Sequence, residues 1–256
     1  MTGIHFPHTS EAHRPAQVGL IVLQSDETIE QDLRLLLPPD LELLVSRIPS
    51  GDEVTPQTLA AMELHMTASA ALFPSSARLS AVGYGCTSGT AQIGAAEVAA
   101  RIRKGVDTPQ VTEPVSALIA ACADLGLRRL ALLSPYVAPV SERLRTVLAD
   151  AGIDTPVFGS FLVEEEARVA RISAGSILAA GRDLVAASPE TVEGLFLSCT
   201  NLRSLPVLTA LEEATGLPVL ASNTVLAWHM ARLAGTRARG PGQLLRGSGD
   251  GMRAAG

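Results

Sequence analysis

Short runs of apolar residues alternate along the chain with segments whose apolar positions recur every three or four residues. The first run, VGLIVL at 18–23, is followed by a helical pattern over 28–36. Uninterrupted apolar runs are typical of strands buried on both faces, and the longer spacing is typical of helices. The pattern predicts strands at 18–23, 41–47, 80–85, 108–112, 130–133, 157–163, 194–198 and 218–221. It predicts helices at 28–36, 56–72, 91–103, 113–125, 139–151, 164–187, 204–215 and 222–233.

The order of these elements occurs twice, which indicates an internal duplication. Cys86 and Cys199 stand 113 positions apart, and the strands 18–23 and 130–133 are separated by nearly the same offset. Because strands alternate with helices throughout, the sheets are expected to be parallel. The fold class is therefore predicted as α/β, with two similar four-stranded parallel-sheet lobes related by a pseudo-twofold axis.

The duplication also predicts domain boundaries. The lobes are expected at 17–115 and 116–236, and the last helix of the second lobe is expected to pack on the first. The flanking segments, 1–16 and 237–256, are predicted to be a flexible tail and a loosely ordered tail.

Composition narrows the function classes. The net charge is -6 and no Lys/Arg cluster occurs, so a nucleic-acid partner is not expected. No apolar run approaches the ~18 residues of a membrane span, and the N-terminal segment lacks the apolar block of a secretory signal. Three cysteines with no zinc-type Cys/His spacing predict neither disulfides nor a metal site. A cytoplasmic protein is expected.

Two similar turns are the strongest candidates for chemistry, GYGCTSG at 83–89 and LSCTN at 197–201. Each follows a predicted strand, and ligands of α/β proteins bind at the carboxyl ends of parallel strands. We expect Cys86 and Cys199 to face each other across one site. Helix N-termini would lower the pKa of both thiols. Lone cysteines are commonly buried core residues, an interpretation that fits Cys122 within a predicted helix.

Residues beside the cysteines complete the predicted site. The amides and side chains of Thr87, Ser88, Thr200 and Asn201 would form two nests for a carboxylate. Tyr136, which follows the first strand of the second half, would donate a hydrogen bond to a carboxylate or enolate oxygen.

The turn equivalent to that of Tyr136 holds Gln24 and Asp26, and helix capping explains Asp26 equally well. Several other polar residues are explained at least as well by capping, packing or solvation: Thr112, Glu113, Ser222, Asn223, Arg203, His229 and the run 164–166. The glutamates at 164–166 are predicted to be a solvated helix start.

Five stretches together resemble the aspartate/glutamate racemase superfamily, in the branch of maleate cis-trans isomerases and arylmalonate decarboxylases. They span residues 17 to 235 and read VGLIVLQSDETIEQDL, VGYGCTSGT, LLSPYVAPVSERL, LSCTNLRSL and LASNTVLAWHMARLAG. The wording of the first stretch looks most similar to the ectoine-utilisation proteins of that branch.

The resemblance implies roles for the same residues. Cys86 matches a nucleophile that adds to a double bond, and Cys199 matches a cysteine that assists as acid or base. Tyr136 matches a carboxylate-binding tyrosine, and Thr87, Ser88 and Thr200 match the carboxylate nest. Maleate isomerases of this branch carry asparagine in the first turn. Asp26 departs from that pattern, and an aspartate would repel a dicarboxylate but suit an amino group.

We therefore predict a two-cysteine isomerase or racemase without cofactor or metal, acting next to the carboxylate of a small acid or amino-acid derivative, as in ectoine degradation. One alternative is a maleate cis-trans isomerase with a covalent Cys86 adduct, and another is an arylmalonate-type decarboxylase. A third is a non-catalytic protein that binds a small acid. A homo-oligomer, dimer or tetramer, is expected.

Overall fold

A computed structural model describes residues 3–11, 14–188 and 190–247. Its strands are β1 (Ala16–Leu23), β2 (Leu41–Ile48), β3 (Leu79–Gly85), β4 (Val111–Thr112), β5 (Arg129–Ser134), β6 (Asp154–Ser160), β7 (Gly194–Leu197) and β8 (Val219–Ala221). They form two four-stranded parallel sheets, in the orders β2-β1-β3-β4 and β6-β5-β7-β8. The second sheet repeats the topology of the first, as the duplicated pattern predicts.

Strand β1 shows why the apolar runs are uninterrupted. Val18, Leu20 and Val22 belong to one buried hydrophobic cluster, whereas Ile21 and Leu23 belong to another. Successive side chains of a strand point to opposite faces, so both faces of this sheet are covered.

The helices are α1 (Ile29–Leu36), α2 (Pro56–Ala61), α3 (Glu63–Ala70), α4 (Thr87–Ile93), α5 (Ala95–Gly105), α6 (Pro114–Leu125), α7 (Ala138–Asp150), α8 (Glu166–Val169), α9 (Ala174–Ala186), α10 (Leu208–Thr215), α11 (Ser222–Leu233) and α12 (Gln243–Gly247). Two long helices predicted from sequence, 56–72 and 164–187, are each divided into two.

The helix predicted at 91–103 is wrong at its start, because helix α4 begins at Thr87, directly after Cys86. Gly94 then separates α4 from α5 with a φ of 97°, a left-handed conformation that a residue with a Cβ rarely adopts. The consequence for function is that Cys86 occupies the N-cap position of a helix.

Helix α11 joins the two halves. A Cβ atom placed on Gly83 of β3 would lie 2.6 Å from the sulfur of Met230, so this helix lies directly on the sheet of the first half. Its residues Val225 and Met230 share a hydrophobic cluster with Leu33 of α1 and Leu118 of α6. The chain thus has a hydrophobic core common to both halves.

The sequence predicts a loosely ordered tail at 237–256, but residues 237–247 pack against the rest of the protein. Residues 248–256 lie outside the described residues. Leu244 and Leu245 of α12 are buried, and the amide of Arg239 donates to the carbonyl of Leu36. Arg246 forms an ion pair with the buried Glu212. Gly and Arg content suggested mobility, but two leucines at adjacent positions give this segment an apolar anchor. At the other end, the described residues of 3–11 have no helix or strand and are exposed.

Across 3–11, 14–188 and 190–247, no helix is long and apolar enough to cross a membrane.

Candidate active site

Hydrogen bonds link the turns at the carboxyl ends of β1, β3, β5, β7 and β8 to one another. The hydroxyl oxygen of Ser222, at the start of α11, lies 2.8 Å from that of Thr87. The same hydroxyl accepts a hydrogen bond of 3.0 Å from the backbone amide of Cys199. Thr200 reaches back to donate to the carbonyl of Gly85, the residue before Cys86. These bonds hold the two Cys-Thr turns side by side.

Cys86 is a buried N-cap residue. Its Sγ accepts a hydrogen bond of 3.1 Å from the backbone amide of Gly89. A Cβ atom on Gly89 would lie 2.8 Å from Cys86 Sγ and 2.9 Å from the hydroxyl of Tyr84, so glycine is needed for this close approach. Tyr84 is fully buried, and its hydroxyl also contacts the sulfur of Met62.

The expected lowering of the Cys86 pKa is wrong. Burial raises the pKa of this thiol to about 12, and the carboxylates of Glu166 and Asp26 add to the rise. Hydrogen bonds from Gly89 and Tyr84 lower this pKa, but their effect is smaller than that of burial. The free-energy cost of removing a thiolate from water exceeds the stabilisation that one helix N-terminus provides.

Cys199 has a different environment. Its Sγ lies 2.9 Å from the hydroxyl oxygen of Tyr136 and accepts a bond of 3.3 Å from the amide of Asn201. Its φ is 107°, a strained value for a residue with a Cβ that costs on the order of 1–3 kcal/mol. Burial raises the pKa of Cys199 well above its usual value, and the charge of Glu166 raises it further.

Glu166 belongs to this cluster, although the sequence pattern did not indicate it. It is buried, not solvated: Tyr136 donates to its Oε1 at 2.8 Å, and the Asn201 side-chain amide donates to its Oε2 at 2.8 Å. The segment is held from the other half, because the Glu166 amide donates to the carbonyl of Asp52. Burial raises the pKa of Glu166. Its place just beyond the carboxyl end of a predicted strand was the signal available in the sequence.

Asp26 caps a helix with one carboxylate oxygen and buries the other. Its Oδ1 accepts hydrogen bonds from the amides of Thr28 and Ile29, at 2.7 and 2.9 Å, as a helix cap does. Its Oδ2 is buried and has no hydrogen-bond partner among the residues that the structure describes. Burial raises the pKa of Asp26, and its charge acts on both Cys86 and Cys199.

Asn201 ties the second Cys-Thr turn to the first turn of the other half. Its side-chain oxygen accepts from the amide of Glu27 at 2.9 Å, and its carbonyl accepts from the hydroxyl of Thr28. Thr87, Ser88 and Thr200 are buried as well, and Thr87 and Thr200 join the same cluster through Ser222 and the carbonyl of Gly85. Their expected role as carboxylate nests stays a prediction.

Gln24 lies apart from this cluster. Its side chain is exposed, and its backbone bonds to the carbonyl of Ile48 and to the guanidinium of Arg47.

The remaining candidates have structural roles. Glu113 caps α6 through the amides of Val115 and Ser116, and Thr112 pairs with His229 at 2.7 Å. Burial lowers the pKa of His229. Cys122 is a buried core residue.

Arg203 is exposed and lines a surface cavity beside the cluster. The cavity measures about 380 Å³ and is bordered by Thr28, Asp32, Arg171 and Arg203. Within 3–11, 14–188 and 190–247, no group of three or more His, Cys, Asp or Glu residues is arranged to hold a metal ion.

Comparisons with known proteins agree on one family. A family model described as arylmalonate decarboxylase matches residues 89–245. Maleate isomerase from Nocardia farcinica is 26% identical over 235 residues, which are 84% of this chain and 89% of that protein.

Solved structures confirm the α/β fold with two four-stranded parallel sheets. Maleate isomerase Iso from Pseudomonas putida S16 superimposes with a TM-score of 0.81 at 25% identity, over 92% of this chain and 100% of that one. A mutant of the Nocardia farcinica maleate cis-trans isomerase with a covalently bound succinylcysteine intermediate gives a TM-score of 0.78 at 24% identity, over 91% and 98% of the two chains.

Proposed function

The chain belongs to the arylmalonate decarboxylase family, and we propose that it is a cofactor-independent isomerase working through Cys86 and Cys199. The proposed reaction is cis-trans isomerisation next to the carboxylate of a small unsaturated acid of the maleate type. Similarity to maleate isomerases over most of the chain supports this choice.

The observation that carries the proposal is the unequal equipment of the two thiols. Both thiols accept a backbone amide, Cys86 from Gly89 and Cys199 from Asn201, but only Cys86 caps a helix, whose first-turn amide opposes part of the rise in thiol pKa that burial causes. Only Cys199 contacts a tyrosine, Tyr136, that in turn bonds to a carboxylate. One thiol therefore resembles a nucleophile, and the other resembles a member of an acid-base pair.

The chemistry follows from these positions. The Cys86 thiol gives its proton to a carboxylate of the substrate as its sulfur adds to one alkene carbon, and the electron pair of the double bond moves into the adjacent carboxylate as an enediolate. The former double bond is then single and rotates. Collapse of the enediolate expels the Cys86 thiolate and leaves the trans acid. The same proton returns to the Cys86 sulfur when the adduct collapses. Cys199 would hold a proton for the intermediate carbanion, and a succinylcysteine in a related isomerase supports such an adduct.

Simple decarboxylation uses one proton donor and leaves the second thiol without a role. A non-catalytic binding protein would need the nests but neither thiol. Both Cys86 and Cys199 are buried in one polar cluster with acid-base neighbours, which favours a two-cysteine reaction.

A second candidate is racemisation of an amino-acid derivative, of the kind that the ectoine-utilisation proteins suggest. The observation in its favour is Asp26, whose buried Oδ2 lacks a hydrogen-bond partner among the described residues. A substrate ammonium or amide N–H would satisfy that oxygen. One thiolate would remove the α-proton while the opposite thiol returns one.

Mass spectrometry separates the two candidates. Protein carrying Cys199→Ser, incubated with maleate, is expected to gain the mass of one substrate molecule on Cys86. The matched control Cys86→Ser is expected to gain none, and Cys122→Ser is expected to behave as wild type.

Deuterium wash-in at the α-carbon of an amino-acid derivative, without any adduct, would establish racemisation instead. Full activity in both single cysteine variants would contradict both candidates.

A further inference from the structure

We infer that Glu166 is the proton acceptor and donor for Cys199, with the Tyr136 hydroxyl as the relay between them. This inference rests on the proposed role of Cys199 as acid and base. Glu166 does not touch the reacting atoms and is therefore a positioning residue that sets the protonation of the thiol.

Geometry supports the relay. The Tyr136 oxygen lies 2.9 Å from Cys199 Sγ and 2.8 Å from Glu166 Oε1, both within hydrogen-bonding range. Cys199, Tyr136 and Glu166 are exposed by only 3%, 4% and 4%, so bulk water does not compete with these bonds. The three groups form a continuous path along which a proton can move.

Transfer along this path balances. The thiol proton of Cys199 moves to the Tyr136 oxygen while the phenol proton moves to Glu166. The products are a thiolate, a phenol that now donates to sulfur, and a neutral carboxylic acid that donates to the phenol. The reverse movement returns the proton to Cys199. No charge leaves the buried cluster in either direction.

The surroundings of Glu166 favour its protonated form, because no cationic side chain pairs with its carboxylate among the described residues. Its pKa responds to burial, to hydrogen bonds from Asn201 and Tyr136, and to the charge of Asp26. Its own charge acts on Cys86, Cys199 and Tyr136. Arg171, on the same segment, is exposed and paired with Glu27. The groups that face this carboxylate are therefore acids or neutral donors.

Cys86 has no equivalent path among the described residues. Its tyrosine, Tyr84, bonds to the sulfur of Met62, which cannot accept a proton. The two tyrosines of the chain thus attend one cysteine each, but only Tyr136 continues to a carboxylate. This difference assigns the acid-base role to Cys199.

The competing explanation is that Glu166 holds Asn201 and acts on Cys199 only through its negative charge, without taking a proton. The two explanations predict opposite signs for thiol reactivity. If Glu166 is the base, Glu166→Gln keeps a hydrogen-bond acceptor for Tyr136 but cannot take the proton, and Cys199 becomes less reactive. If Glu166 acts only through its negative charge, the substitution lowers the Cys199 pKa and makes the thiol more reactive.

Alkylation by iodoacetamide tests this without any substrate. The measurement uses the Cys86→Ser protein, follows modification of Cys199 by peptide mass, and takes buried Cys122 as an internal reference for folding. Glu166→Gln and Tyr136→Phe are each expected to slow Cys199 alkylation at neutral pH by about a hundredfold, the lower end of the range for lost general-base assistance. The pH inflection of Glu166 should vanish from the rate profile.

Unchanged or faster alkylation of Cys199 in Glu166→Gln, with Cys122 unaffected, would overturn the relay. A faster reaction at both cysteines would report a loosened fold, and Glu166→Asp then provides the comparison, since it retains the base on a shorter side chain. Restored pH dependence in that variant supports the relay, and its absence refutes it. Failure of the maleate adduct experiment would leave this result unaffected, so the two proposals fail separately.

Discussion

The hydroxyl oxygens of Thr87 and Ser222 lie 2.8 Å apart, although the two residues belong to opposite halves of the chain. Ser222 also accepts the amide hydrogen of Cys199. One hydroxyl therefore holds the turn after Cys86 and the turn containing Cys199 at fixed positions. The relative placement of the two thiols depends on this buried link between duplicated elements.

Replacing that link is expected to affect both folding and catalysis. Ser222→Ala leaves the Cys199 amide without its acceptor, at a cost of about 1–3 kcal/mol in unfolding free energy. The reaction rate should fall more than substrate affinity, because the two thiols lose their fixed relative position. Urea denaturation and steady-state kinetics measure the two effects. Ser75→Ala, at an exposed site, is the matched control and should change neither.

Asp26→Asn is expected to change substrate preference. The amide retains an oxygen for the amides of Thr28 and Ile29, and it places a donor where Oδ2 had no partner among described residues. A dicarboxylate should then bind more tightly, by about tenfold in KM, because a charge repulsion is replaced by a hydrogen bond. An amino-bearing acid should bind less tightly. Equal KM values for both substrate types in wild type and variant would contradict a role in selection.

Asp32 predicts a pH dependence of stability. Burial raises its pKa from 3.8 to about 6, against an opposing hydrogen bond from Asn223. The folded state therefore binds more protons than the unfolded state, and stability falls as pH rises from about 4 to about 6.

Asp32→Asn removes this dependence. The unfolding free energy of the variant, relative to that of wild type, should therefore increase by up to about 3 kcal/mol as pH rises across that interval. Denaturation curves at several pH values measure the difference. A constant difference between pH 4 and pH 6 would show that Asp32 titrates normally.

The C-terminal segment is expected to stabilise the fold. Leu244 is 3% exposed, so Leu244→Ala should lower the unfolding free energy by about 2–4 kcal/mol. Leu72→Ala, at a leucine that is 72% exposed, is the control and should cost under about 0.5 kcal/mol. Similar midpoints for the two variants would place this segment outside the cooperative unit.

Local pattern determined much of this protein. The period of apolar positions was enough to predict two repeated parallel sheets, because strands covered on both faces leave an unmistakable run such as that of β1. The same pattern placed Cys86, Cys199, Asp26 and Tyr136 in turns at strand ends. Chain direction alone brings such turns to one edge of a parallel sheet.

Tertiary structure decided the chemistry of those residues. Glu164, Glu165 and Glu166 are equivalent in sequence, yet only Glu166 is buried, because contacts with Asp52 and Asn201 turn it inward. The direction of the Cys86 pKa could not be foreseen either, since a helix N-terminus is a local feature whereas desolvation depends on everything packed around the thiol. The spacing of residues along the chain determines which side chains reach the carboxyl edge of a sheet. Only the packing of distant segments determines which of those side chains are buried away from water and form hydrogen bonds that can carry a proton.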